Sequence, residues 1–209
     1  KIGQMVVDCY AAEACVSLVA SLTDEGYEDY QVEAAISKVF ASEALWRTID
    51  EALQIAAGNG YMCEFPYERM MRDARINRIF EGTNDILRLF IALNAMNDVA
   101  GELKEMATSV KTVFTDPIKG FGVLSDYAKR RASITTGLGS GKPHFARVVP
   151  ELSHETDAFE DATRELALAA DRILRKHGKD IIGKQFASKR LAEIMIDLFV
   201  WACVLSRVN

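Results

Sequence analysis

The sequence predicts an all-α protein, a four-helix-bundle unit followed by an additional helical extension. Three observations carry this. Apolar residues recur at three- and four-residue spacing over long stretches, the period of one helix face. Only four prolines interrupt 209 residues, and a helix interior excludes proline. Glycine breaks fall between the periodic runs, at Gly26, Gly58, Gly60 and Gly178.

The first helix is expected over residues 1–24, where Ala11, Ala12, Ala14 and Ala20 accompany Met5, Val6, Val16 and Leu22. Small side chains let helices approach closely, which places this helix well inside a bundle. The second runs from about Tyr30 to Ala57 on a face of Val32, Ala35, Ile36, Val39, Phe40, Trp46, Ile49 and Ile55. Gly58-Asn59-Gly60 stops it with residues that tolerate positive φ. Pro66 suits the first position of a short helix over Tyr67–Asp73. The next begins at Asn84, with Thr83 or Asn84 as its cap, and runs to about Thr108 on Ile86, Leu87, Phe90, Ile91 and Leu93. Together these form a bundle unit over residues 1–105.

Residues 106–149 read as a linker containing Pro117 and the glycine stretch 137–141. Within it, Ile118, Phe121, Leu124, Ala128 and Ala132 share one helical face, with Lys119, Lys129, Arg130 and Arg131 elsewhere. Segment 118–134 thus fits either an anionic membrane surface or ordinary inward packing. Residues 150–209 form the extension, with helices over Pro150–His177 and Asp180–Val208. Gly178 lies at the end of the first, making the pair a helical hairpin. Phe159, Leu166, Ile173 and Leu174 line one helix; Phe186, Leu191, Ile194, Leu198, Trp201 and Leu205 line the other.

Composition narrows the function. A net charge of −5 argues against nucleic acid as a main partner. Cys9, Cys15 and Cys203 lie in apolar helical patterns and read as small core residues, whereas Cys63 lies in a connection. No apolar run appears long enough for a membrane span, the nearest being Ile194–Leu205. Lys1 opens directly into a helix, so the sequence reads as a piece of a longer chain. No metal site is expected: Glu151-x-x-His154 has the spacing of a di-iron ligand pair but no second such pair. Gly137-x-Gly-x-Gly141 follows no strand, so it is not a phosphate loop.

The chemistry concentrates at Ile79-Phe80-Glu81-Gly82-Thr83-Asn84. Glu81 falls on the turn before a helix, next to a glycine that lets a ligand approach the backbone. Ile79, Phe80 and Ile86 would desolvate the carboxylate, while the helix N-terminus, Arg72, Arg75 and Arg78 would favour its ionised form. Such a group can serve as a general base. The same residue types also fit a carboxylate placed simply against a helix dipole.

These residues, with Arg72-Asp73 before them and Ile86-Leu87-Arg88 after, resemble the signature of the flavin-dependent acyl-CoA dehydrogenases, most closely the very-long-chain branch. The likeness continues in the extension at Lys176–Lys179, Gln185-Phe186, Lys189–Ala192 and Val204–Arg207. It implies that this is the C-terminal helical domain of that fold, without the amino-terminal helical and middle β-domains. Glu81 would then abstract the α-proton of a fatty acyl-CoA, giving the trans-2-enoyl-CoA with FAD as oxidant. Phe80 and Gly82 would line the thioester site, and Thr83, Asn84 and Asp85 would touch FAD. Gln54 and Gly58 would reach the adenosine side of the neighbouring subunit's FAD across a homodimer. Ala57 stands where the family usually has glycine. The resemblance further implies electron-transferring flavoprotein as acceptor and the matrix face of the mitochondrial inner membrane as location. A fragment of this extent is expected to be inert alone. A relative with the same extension acts in respiratory complex I assembly. The stretch Glu33–Lys38 and the pair Asn84-Asp85 favour the dehydrogenase.

Overall fold

The computed structural model describes residues 1–97 and 148–209, all of the regular structure there being helical. Helix α1 spans Ile2–Asp24 and α2 Gln31–Ala56. A single turn, α3, follows at Gly58–Tyr61, then α4 at Tyr67–Ile76. Helix α5 starts at residue 84 and is described to residue 97. After a 3-10 turn at Pro150–Leu152 come α6 (Ser153–His177), a 3-10 helix (Gly178–Gly183) and α7 (Gln185–Val208). The linker expected from residue 106, the segment 118–134 and the glycine stretch 137–141 lie outside the described residues.

The chain divides into two compact units, Lys1–Ile91 with Ala192–Asn209, and Ala92–Leu191. In the first unit α1 packs along α2, and α2 carries α3 and α4. Its core draws Ala11, Ala14 and Cys15 from α1 and Ala35, Ile36, Val39, Ala44 and Ile49 from α2. Ile91 comes from α5, and Ala192, Ile196, Leu198, Cys203 and Leu205 from α7. In the second unit α6 packs on the 3-10 helices that flank it, and Leu174 and Ile181 are buried.

Helix α1 departs from expectation twice. It buries only a narrow strip, and Ile2, Val6, Val7 and Val16 are exposed. It is also long and apolar enough to cross a membrane, with a mean hydropathy of 1.6 in its most apolar window. Yet its buried Asp8 is held by Arg47 of α2, whose Nε and Nη2 donate at 3.3 and 3.1 Å. A paired carboxylate facing a neighbouring helix is a packing feature of the unit. The helix is apolar on all sides, so its sequence carries no period from which the buried strip could be read.

The end of α2 also differs. The positive φ falls on Ala57 (φ 51°, ψ −131°), one residue before the glycines. Gly58 and Gly60 instead form the turn α3, closed by the Gly60 N–H donating to the Ala57 carbonyl at 2.9 Å. Gly60 is required for space: a Cβ there would stand 2.3 Å from the Leu53 carbonyl oxygen. Among the cysteines, Cys15 and Cys203 are buried as expected, but Cys9 is exposed. The face predicted for α7 holds at Leu191, Leu198 and Leu205, whereas Phe186 and Ile194 are exposed.

Candidate active site

Helix α4 ends at Ile76, and the next seven residues turn the chain into α5. Ile79 and Phe80 N–H groups donate back to the Ile76 carbonyl at 2.8 and 3.0 Å, and the Asn84 N–H closes the turn on the Arg78 carbonyl at 3.1 Å. At its apex two successive residues adopt left-handed backbone, Glu81 at φ 53° and Gly82 at φ 91°. Glycine accepts this freely; for a residue with a side chain it costs about 1–2 kcal/mol. Thr83 caps α5, its Oγ1 accepting the Ile86 N–H at 3.3 Å, as residue type predicts.

The turn is tied to the middle of α2. The Lys38 ammonium donates to the Gly82 carbonyl and to Asn84 Oδ1, both at 2.8 Å. Asn84 is buried, and its Nδ2 donates to Ser42 Oγ at 2.9 Å and Glu43 Oε1 at 3.0 Å. Glu43 in turn pairs with Arg78 at 2.9 Å and Arg88 at 3.3 Å, and Arg88 lies 3.9 Å from Glu193 of α7. Burial opposes the charge on Glu43, but the Asn84 amide, Arg78 and Arg88 together hold its carboxyl below the usual range. Burial pushes the Lys38 ammonium below the usual lysine range, while Glu43 and Glu81 oppose that shift.

Three expectations about this site change. The arginines expected around Glu81 are engaged elsewhere: Arg72 with Glu68, Arg78 with Glu43, and Arg75 and Arg78 over the Trp46 ring at 5.9 and 5.7 Å. A cation from another helix, Lys38 of α2, interacts with Glu81. And Ile79, Phe80 and Ile86 do not enclose the carboxylate within this chain; they are 45–60% exposed, with Glu81 itself exposed. What the structure offers is one wall: a carboxylate on a pinned turn, a ring and two branched chains beside it, and the first turn of a helix behind.

Of the residues singled out from sequence, Phe80, Glu81, Gly82, Thr83, Asn84 and Asp85 come together on this turn. Asn84 points inward as its anchor, while Asp85 is exposed. Gln54 and Gly58 are exposed at the far end of α2. Gln54 lies eleven residues past Glu43 (54 − 43), about 16 Å along the helix axis. Lys38, Ser42 and Glu43 were not singled out as site residues. On α2 they sit among Ala35, Ile36 and Val39 on a half-buried face, where a lysine or serine gives no periodic signal.

Comparison with known proteins bears on the family of the chain. The family described as "Acyl-CoA dehydrogenase, C-terminal domain" matches residues 1–96, and the one described as "ACAD9/ACADV, C-terminal domain" matches residues 150–209. Very long-chain specific acyl-CoA dehydrogenase, mitochondrial, of Rattus norvegicus is 41% identical over all 209 residues, and that of Homo sapiens 42%. In both cases the chain spans 31% of the relative's length, under a third of it. Among solved structures, an acyl-CoA dehydrogenase of Bacillus anthracis complexed with FAD is similar at a TM-score of 0.67 and 27% identity. That match covers 97% of this chain and 34% of the other.

Proposed function

Because this chain belongs to the acyl-CoA dehydrogenase family, we propose that it supplies the base-bearing helical part of a flavin-dependent enzyme that oxidises a fatty acyl-CoA to the trans-2-enoyl-CoA. The observation that carries the reading is the Glu81 turn: an exposed carboxylate at the mouth of α5, set on left-handed backbone and tied to α2. Glu81 takes the α-proton of the thioester. Phe80 and Gly82 flank it, the ring offering apolar contact and the glycine leaving the backbone open to the substrate. Exposure of Ile79, Phe80 and Ile86 suits a half-site whose other wall comes from elsewhere in the complete protein.

The residues present fit FAD. Helix α5 is long enough to have a field at its N-terminus, and Asp85 leaves that end accessible to an acceptor-rich ligand. Thr83 and Asp85 would hold the cofactor at this end, and Asn84, buried and bonded to α2, would fix the turn from which they reach it. When bound, FAD supplies the two-electron oxidant that accepts the β-hydride. Gln54, near the end of α2, and Gly58, in the turn α3 that follows, suit a second cofactor contact made to the other subunit of a homodimer. The mitochondrial relatives support a mitochondrial setting; to this the reading adds the matrix face of the inner membrane and electron-transferring flavoprotein as acceptor. A chain of this extent alone is expected to be inactive.

The test is acyl-CoA oxidation by the complete protein, wild type against Glu81→Gln, with flavin content measured in both. Loss of turnover with flavin retained is expected. Undiminished turnover in the variant removes Glu81 as the base, and a flavin-replete wild type without turnover would point to an assembly role.

A further inference from the structure

We infer that Lys38 is a positioning residue for the proposed reaction, holding the Glu81 turn in the conformation that presents the carboxylate to substrate. The inference deepens the reading of Glu81 as base and rests on it. Its ground is the geometry around the turn. Glu81, which carries a side chain, holds left-handed backbone beside Gly82, a state that persists only where its surroundings enforce it. The Gly82 carbonyl, directly after the base, accepts from Lys38 Nζ at 2.8 Å. The same nitrogen donates to Asn84 Oδ1 at 2.8 Å, so one ammonium grips the turn at two points.

Neither end of this clamp is free to move. Asn84 cannot rotate without losing its bonds to Ser42 and Glu43, whose own partners are Arg78 and Arg88. Lys38 springs from a stretch of α2 in which Ala35, Ile36, Ser37 and Val39 are all buried. A functional group held on a packed helix is placed more sharply than one held by its own loop. The charged groups about the turn divide accordingly: Glu43 pairs with Arg78 and Arg88, and Lys38, bonded to the Gly82 carbonyl, interacts with Glu81. Without Lys38 the Gly82 carbonyl exchanges its partner for water, and the strained turn is free to relax away from the substrate.

The experiment uses the complete flavin-loaded enzyme with Lys38→Met, which removes the donors, and Lys38→Gln, which keeps N–H donors on a shorter neutral chain. Steady-state kinetics are measured with acyl-CoA and with its α-deuterated form, alongside flavin content and Glu81→Gln as reference. For Lys38→Met, kcat should fall about tenfold to a hundredfold, the scale of a base misplaced by an ångström. KM and flavin content should stay near wild type, and the isotope effect should rise as proton removal becomes more rate-limiting. Lys38→Gln should recover part of the loss. Wild-type kcat and isotope effect in flavin-replete Lys38→Met overturn the inference. If that variant does not fold, wild-type values with no rise in isotope effect in Lys38→Gln also overturn it, and a lowered kcat with a raised isotope effect supports it. Turnover surviving in Glu81→Gln would remove the base itself, whereas loss there beside unchanged Lys38 variants removes only the clamp.

Discussion

The Asn84 side chain donates to the Glu43 carboxylate at 3.0 Å, joining the start of α5 to the middle of α2 through a buried amide. Its other contacts, Lys38 and Ser42, use its remaining hydrogen-bonding capacity. Replacement by alanine takes one hydrogen bond from each of three polar partners at once. Asn84→Ala should therefore cost about 2–4 kcal/mol of stability, read as a lower midpoint in urea unfolding. Asn84→Asp, which sets a second carboxylate against Glu43, should also destabilise. An unchanged midpoint in both would show that the network contributes nothing to the fold.

Glu43 and Asp197 carry opposite pH dependences. The carboxyl of Glu43 is held below its ordinary value of 4.5 in the fold, so its contribution is fully present above that value and is lost as pH falls through the folded one. Burial and then Glu193 push Asp197 above its ordinary 3.8, partly offset by Arg47. That group disfavours the fold once pH exceeds the raised value. Glu43→Gln should weaken the protein at pH 7 and flatten its acid unfolding, while Asp197→Asn should strengthen it at pH 7. Thermal unfolding between pH 3 and 7 checks both signs.

Ala57 occupies backbone that favours glycine (φ 51°, ψ −131°). Ala57→Gly should stabilise the protein by about 1 kcal/mol through released strain. Gly60→Ala should do the reverse more strongly, because its Cβ meets the Leu53 carbonyl oxygen at 2.3 Å. Chemical denaturation of the two variants beside wild type distinguishes the positions.

The thiols should divide into two classes. Cys9 and Cys63 are exposed and should react with a maleimide in the native state. Cys15 and Cys203 are 0% and 2% exposed and share a hydrogen bond. That bond and burial push the Cys203 thiol up, while the same bond lowers Cys15. With access closed, both should label only on unfolding. Peptide mass spectrometry after brief labelling reads the result directly.

Helix positions and the Glu81 turn were legible because they depend on local signals: apolar period, the Thr83 cap and the glycine beside Glu81. What sits around that turn was not legible. Arg75 and Arg78 are near Glu81 in sequence, but Trp46, from a different helix, takes both. Lys38 is forty-three residues from Glu81 (81 − 38) and becomes its neighbour only once α2 packs beneath the turn. At Ala57 the resemblance gave a signal, a usual glycine, but residue type alone gave none. Alanine is a favourable helix residue, and its sequence context gives φ no reason to turn positive.

The first unit is assembled from both ends of the described chain, residues 1–91 and 192–209. Arg207 pairs with Glu13 at 2.7 Å and stacks over Tyr10, while Leu205 and Cys203 fill the core. During synthesis, α1 and α2 therefore leave the ribosome long before the residues that complete their core exist. Over that interval Cys15 and its neighbours lack cover from α7. The same arrangement makes late truncations costly: a stop codon at Lys189 removes Ala192, Ile196, Leu198, Cys203 and Leu205 together. Such a product should lose cooperative unfolding and be cleared by proteases, although Glu81 and every residue of its turn are intact.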